Sequence, residues 1–338
     1  MFGGNPKASF ISLLLILSLI PQSCYDPADF SPTQEQIRRA VDYLISHYNP
    51  ELQLIYESEQ RGEHFLVEEY PELSGKLYFN NTYWIYSDNL FAYLALEPFS
   101  PYHSQKIKQK YDQLVLKVGL SNLFEVVMGK NIPDTIKTAK NYYYGNFNNC
   151  YIFYERHDQD DYEDLENYGD LCLYKALDLF FAGCKKGAEK WLYKAYSKFD
   201  GKGVYDKATE VNGYYANYKL ALLLYTSRVL GLRIPAYEEI ERKLWSMQLS
   251  NGGICALADL EGNPTGAANC ETTSLTLMVY NERLIAKLNP HNHGLDWCES
   301  PFEFLKWVGV TLLVIAFLPF IFKEFLKHYG RYDRIYVS

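Results

Sequence analysis

The feature that most constrains the fold is a repeat. A segment with helical spacing ends in a Gly or Asn turn. A short apolar–aromatic–acid signature follows, then a polar loop, then a second helical segment. The signature reads Leu54-Ile55-Tyr56-Glu57, then Ile152-Phe153-Tyr154-Glu155, then Gly203-Val204-Tyr205-Asp206. A fourth copy, Gly252-Gly253-Ile254-Cys255, keeps the place and loses the acid. The following segments open with Ser87-Asp88-Asn89, Asn167-Tyr168-Gly169-Asp170, Tyr215-Ala216-Asn217 and Asn269-Cys270-Glu271. Asn217 comes 50 residues after Asn167 and Glu271 comes 54 after Asn217, but Asn167 comes 78 after Asn89. Residues 120–149 therefore read as an insertion.

A helical hairpin cannot bury its apolar face alone, so four of them must pack side by side. Helical spacing covers about 33–48, 83–97, 103–119, 165–182, 185–199, 213–230, 235–249 and 270–288. The segment before each loop is charged, as in Lys185, Lys186, Glu189, Lys190 and Lys194. The segment after it is apolar nearly all round, as in Leu220-Ala221-Leu222-Leu223-Leu224. The pattern predicts outer charged helices and inner buried ones: an all-α fold, an α/α toroid or an open arc of about four hairpins. Tyr142 to Tyr154 is the one stretch that reads as a strand hairpin. All the loops leading into inner helices would lie at one end, which would collect the acids and amides.

The two ends of the chain read differently. Lys7, the apolar run Phe10 to Ile20 and the breaker Pro21 match an export signal over 1–24. Pro21-Gln22-Ser23 is a poor setting for lipidation of Cys24. Trp307 to Phe322 carries no charge, and Lys323, Lys327, Arg331 and Arg334 follow it. That predicts one transmembrane helix near 304–322, within a juxtamembrane, membrane and tail segment 299–338, with a cytoplasmic C-terminus. Residues 25–298 would then be an extracytoplasmic domain at the cell membrane. The whole-chain net charge of −8 argues against a nucleic-acid binder, and removing both ends leaves 27 basic against 37 acidic residues, a domain that should not hug an anionic membrane surface. With Cys24 set aside, six cysteines remain in an oxidising compartment, and Cys255 with Cys270 is the expected disulfide. Asn80-Asn81-Thr82 is an N-glycosylation acceptor.

Gln248-Leu-Ser-Asn-Gly-Gly253 followed by Gly266-Ala-Ala-Asn-Cys-Glu271-Thr-Thr resembles the outer-to-inner loop of the α/α-toroid superfamily. That superfamily comprises six-hairpin glycosidases, polysaccharide lyases and terpenoid cyclases with protein prenyltransferases. The resemblance covers roughly Pro32 to Leu288, and it implies a substrate lying over the starts of the inner helices. Anions are favoured there by free N–H groups, and carboxylates can act as acid and base.

Glu271, Asp206 and Asp88 are the expected catalytic acids. Glu57, Tyr56, Asn89, Glu155, Asn167, Asp170, Tyr205 and Asn217 are the expected substrate-binding residues. The bland reading is that Asp88 and Glu271 cap helices and the asparagines tie down loops. Asp158-Gln-Asp160-Asp161 spells the acid motif of class II terpenoid cyclases, without the context that should follow it, and reads as a solvated loop. No C-x-x-C, P-loop, G-x-G-x-x-G or G-x-S-x-G is present, so neither a metal nor another cofactor is expected. The sequence thus points to a surface glycoside hydrolase or lyase acting on carbohydrate. A non-catalytic protein binding glycan or peptide is the alternative, and a terpenoid-type cyclase a weaker one.

Overall fold

The computed structural model describes residues 30–119, 122–130 and 135–289. The described residues from Pro32 onward form one unit. Helix α1 (Gln34–Ser46) starts at Thr33. The Thr33 hydroxyl accepts from the Gln36 N–H while the Gln36 side chain takes the Thr33 N–H, a reciprocal cap contributing about 1 kcal/mol. A π-helical turn, Ile85–Leu90, runs into α2 (Phe91–Leu96). There follow α3 (Pro101–Val118), α4 (Gly169–Phe181), α5 (Lys185–Tyr196), α6 (Lys207–Asn212), α7 (Tyr218–Leu230), α8 (Tyr237–Trp245), α9 (Cys270–Met278) and α10 (Glu282–Leu288).

Helix α7 packs between α4 and α9, and α9 packs on α2. These are the segments without a polar face. Leu220, Leu222, Leu223 and Leu224 are all fully buried, and cutting any one back to Ala costs about 2–5 kcal/mol through lost transfer energy and a residual cavity. The charged helices lie against them: α1 on α9, α3 on α2, α5 on α4 and α8 on α7. The starts of α4, α7 and α9, and the π turn before α2, carry Asp170, Lys219, Glu271 and Asp88.

The expectation of an all-α toroid or arc is corrected. Eight strands in three sheets stand among the described residues, so the fold is mixed α and β. The first sheet pairs β1 (Tyr48–Asn49) with β2 (Leu54–Ile55). In the second, β3 (Thr82–Trp84) runs parallel to β5 (Cys150–Asp161), and β5 pairs antiparallel with β4 (Lys137–Phe147). The third joins β6 (Tyr215–Ala216), β7 (Cys255–Ala258) and β8 (Pro264–Ala268) in that order. The cause is backbone satisfaction. At the short strands β2 and β6, loops pressed between helix ends bury N–H and C=O groups that water cannot reach, so they pair with neighbouring strands, whereas β4 has no buried residue and pairs along a largely exposed hairpin.

The hairpin expected over Tyr142 to Tyr154 is present and longer than expected. Its two-residue turn, Asn148 (φ 49) and Asn149 (φ 61), needs left-handed backbone at both positions, which asparagine tolerates.

The Gln248–Gly253 loop has a structural role. Gly252 sits at φ 95, and a Cβ there would lie 2.3 Å from the Arg39 carbonyl oxygen. Arg39 in turn donates to the Leu249 and Ser250 carbonyls at 2.7 and 2.9 Å. The expected disulfide is also corrected: Cys255 and Cys270 are both free, as are Cys150 and Cys172. The Cys255 thiol points into its own hairpin, 3.2 Å from the Leu257 oxygen and 3.1 Å from that of Thr265. The Cys270 N–H is bonded instead to the Glu57 carbonyl at 2.9 Å. The expected export signal and transmembrane helix lie outside the described residues. Among the described residues no helix is long and apolar enough to cross a membrane.

Candidate functional site: a carboxylate cavity

Four acids meet at one cavity of about 290 Å³: Glu57, Asp88, Glu155 and Glu271, with Ser87, Asn269 and the rings of Phe65, Trp84 and Phe124. Backbone bonds between elements bring them together. The Glu57 N–H donates to the Thr82 carbonyl beside β3, and its own carbonyl takes the Cys270 N–H at the start of α9. That fixes Glu57 next to Glu271. The parallel register sets Trp84 opposite Phe153, so Glu155, two residues further along β5, emerges where β3 gives way to the π turn bearing Ser87 and Asp88.

Each carboxylate has its own surroundings. One oxygen of Glu57, Oε2, accepts from Trp84 Nε1 at 2.7 Å and from His64 Nε2 at 2.8 Å. The other ring nitrogen of His64, Nδ1, accepts the Leu66 N–H at 3.1 Å, which leaves the ring proton on Nε2 for Glu57. His64 is fully buried, so its orientation is locked and Glu57 Oε1 is left outside the clamp. Burial, with the Glu155, Glu57 and Asp170 carboxylates beside it, pushes the Glu271 carboxyl up to about 8. Burial pushes Glu155 up to about 7, against the opposing pull of the Ser87 hydroxyl and N–H. Asp88 is raised well above the ordinary range, by burial first and then by Glu57, Glu271 and Glu155, although it accepts the Glu271 N–H. Asp88 Oδ2 and Glu155 Oε2 are buried with no hydrogen-bond partner, a costly arrangement for a carboxylate that ionises.

The other expected site residues lie elsewhere. Asp206 heads α6. It accepts from the Thr209 N–H at 3.1 Å, the Gly169 N–H at 2.8 Å and Lys219 Nζ at 2.5 Å. Gly169 permits this approach, since a Cβ there would meet Val204 at 2.5 Å. Asp170 lies 3.8 Å from the same Lys219 ammonium and accepts the Tyr218 hydroxyl. Asn89 pairs both backbone groups of Ile55 through its side-chain amide, at 2.8 and 3.1 Å. Asn217 clamps the Cys255 carbonyl at 2.9 Å. Tyr56 packs between His47 and Tyr83. Tyr205 is exposed against Tyr215, and Asn167 is an exposed loop residue bonded to Asp164. The rings on the cavity are Phe and Trp, not the expected tyrosines.

Sequence reasoning missed His64, Trp84 and Lys219. The signal for His64 was available: an imidazole seven residues after Glu57 in the same loop. Lys219 also stood out, as a lone cation at the head of an otherwise apolar segment. Among the described residues no group of His, Cys, Asp and Glu could hold a metal ion. No protein-family model, curated protein or solved structure matches the chain.

Proposed function

We propose that the cavity hydrolyses a glycosidic bond in a neutral carbohydrate. The observation that carries this reading is the convergence of four carboxylates, from a loop, a π turn, a strand and a helix start, on one cavity whose lining contains no Lys or Arg. Their environments differ in the way acid–base catalysis needs. Glu271, raised to about 8, keeps its proton at neutral pH and donates it to the departing oxygen. Glu57 is held by two N–H groups on one oxygen and presents the other as nucleophile or base. Glu155 and Asp88 line the same cavity and offer carboxyl groups to sugar hydroxyls, and Trp84 and Phe124 flank the ring. The volume suits a single ring with its linkage, at the small end of ligand sites. Hydrolysis is favoured over lyase chemistry, because a lyase must neutralise a uronate carboxylate and this lining offers no cation.

The test is to incubate the purified full chain with a panel of neutral and acidic oligosaccharides and follow new reducing ends. Cleavage of a neutral member, abolished by Glu57→Gln, supports the reading. Binding without cleavage would replace it with a non-catalytic lectin-like role. Cleavage confined to uronate substrates would overturn the choice of substrate.

A further inference from the structure

A second cavity of about 640 Å³, more than twice the volume of the first, lies between α3, the 3-10 turn Leu123–Met128 and α10. Its apolar lining comes from Tyr93, Leu94, Tyr111, Val115, Met128 and Leu284. The two phenol hydroxyls are already bonded, Tyr93 to Met128 Sδ at 3.1 Å and Tyr111 to Glu125 Oε1 at 2.9 Å. They ask nothing polar of an occupant.

The rim is cationic, with Lys108, Lys130, Arg283 and Lys287 against Glu97 and Asp112. Lys108 is paired with Asp112 and Lys130 with Glu125, each at 2.6 Å. Glu97 takes the Asn281 amide at 3.2 Å. Arg283 and Lys287, one turn apart on α10 and both exposed, have no ion-pair partner among the described residues. On a chain of net charge −8, two unpaired cations over an apolar hollow are a local reversal of sign.

We infer that this cavity binds an acid-headed molecule with an apolar body, a carboxylate or phosphate on a medium-length alkyl chain, its head on Arg283 and Lys287 and its chain against Val115 and Met128. The volume lies inside the range of small-molecule sites. An arginine with a lysine beside it suits either head group. The site is distinct from the carboxylate cavity and does not depend on the function proposed there.

Calorimetric titration of the full chain with dodecanoate, below its micelle concentration, tests the site beside dodecanol as the uncharged control. Anionic phospholipid vesicles form a separate arm, read by co-sedimentation. Dodecanoate should bind and dodecanol should bind at least about tenfold more weakly, the worth of one charge-assisted contact. R283A/K287A should lose a further factor of ten or so on the same grounds. Val115→Trp, which fills the hollow and leaves the charges alone, should also abolish uptake. Dodecanoate binding identifies a free ligand as the source. Vesicle binding without dodecanoate binding, lost in both variants, identifies a lipid head group still in a bilayer. Equal affinity for dodecanol, or binding unchanged in both variants, overturns the inference.

Discussion

Two groups of buried and half-buried acids occupy corresponding places in the repeat, and they are handled in opposite ways. Asp206 and Asp170 share the Lys219 ammonium, and the remaining contacts of Asp206 are two backbone N–H groups and the Thr209 hydroxyl. Glu57, Asp88, Glu155 and Glu271 share a cavity with no cation on its wall, and two of their oxygens have no partner. A buried charge that is paired and fully bonded holds loops together. Buried acids left to repel one another cost stability that packing must offset elsewhere, and such an expense is characteristic of a working site. The repeat position alone does not separate the two groups; the presence of Lys219 does.

The largest expected effect comes from Glu271→Gln, which keeps the shape and removes the transferable proton. Turnover on the cleaved oligosaccharide should fall about 10²–10⁴-fold, the usual worth of a positioned acid, with the melting temperature unchanged or higher. In the wild type, turnover should decline as pH rises through about 8, where Glu271 loses its proton. A rate indifferent to pH there would remove Glu271 from the acid role.

Lys219→Met attacks the other group. It leaves Asp206 buried without its cation and should cost about 3–5 kcal/mol in urea unfolding, with a large share recovered by adding Asp206→Asn. If the single variant is as stable as wild type, the ion pair is not what separates the two groups.

The pH dependence of stability should carry opposite signs in the two places. Glu271 and Glu155 have folded-state values raised above the ordinary 4.5. The native state therefore holds more protons than the unfolded one between about 4.5 and about 8, and stability drops as pH rises through that window. Burial pulls Asp206 upward, but Lys219 and its hydrogen bonds outweigh that and hold it below the ordinary 3.8. Its contribution is present above 3.8 and is lost as pH falls below that value. Urea midpoints measured across pH should show the first slope flattened in Glu271→Gln and the second abolished in Asp206→Asn.

Trp84→Phe takes one of two donors from Glu57. A loss of about 1 kcal/mol, some fivefold in kcat with KM little changed, is the expected result; an unchanged kcat would free Glu57 from its clamp. Asn167→Ala, at an exposed loop residue, should stay within about 0.5 kcal/mol of wild type and leave ligand binding unaltered.

The helices were legible because burial writes itself into apolar spacing. The acids were legible as a set because they recur at fixed offsets. Strands such as Leu54–Ile55 and Tyr215–Ala216 are two residues long, too short for any alternation to register, so their pairing is settled by the helices that crowd them. Asn89 and Asn217 looked like ligand contacts, yet their amides stand in for missing strand partners, a choice made by neighbours distant in sequence. The split between cavity acids and ion-paired acids depends on where one Lys side chain reaches. Spacing is silent on that.

The π turn at Ile85–Leu90 closes each bond over one residue more than an α-helix does. Ser87 and Asp88 therefore owe their heading to chain length as well as to identity. Removing a single residue from this turn would restore ordinary helical winding and change where Ser87 and Asp88 stand relative to α2. A substitution on the cavity wall changes one group and leaves the others in place, whereas a one-codon deletion here would shift Ser87 and Asp88 together. In a lineage of such chains, the length of this turn would show whether the cavity wall is kept, separately from which acids it carries.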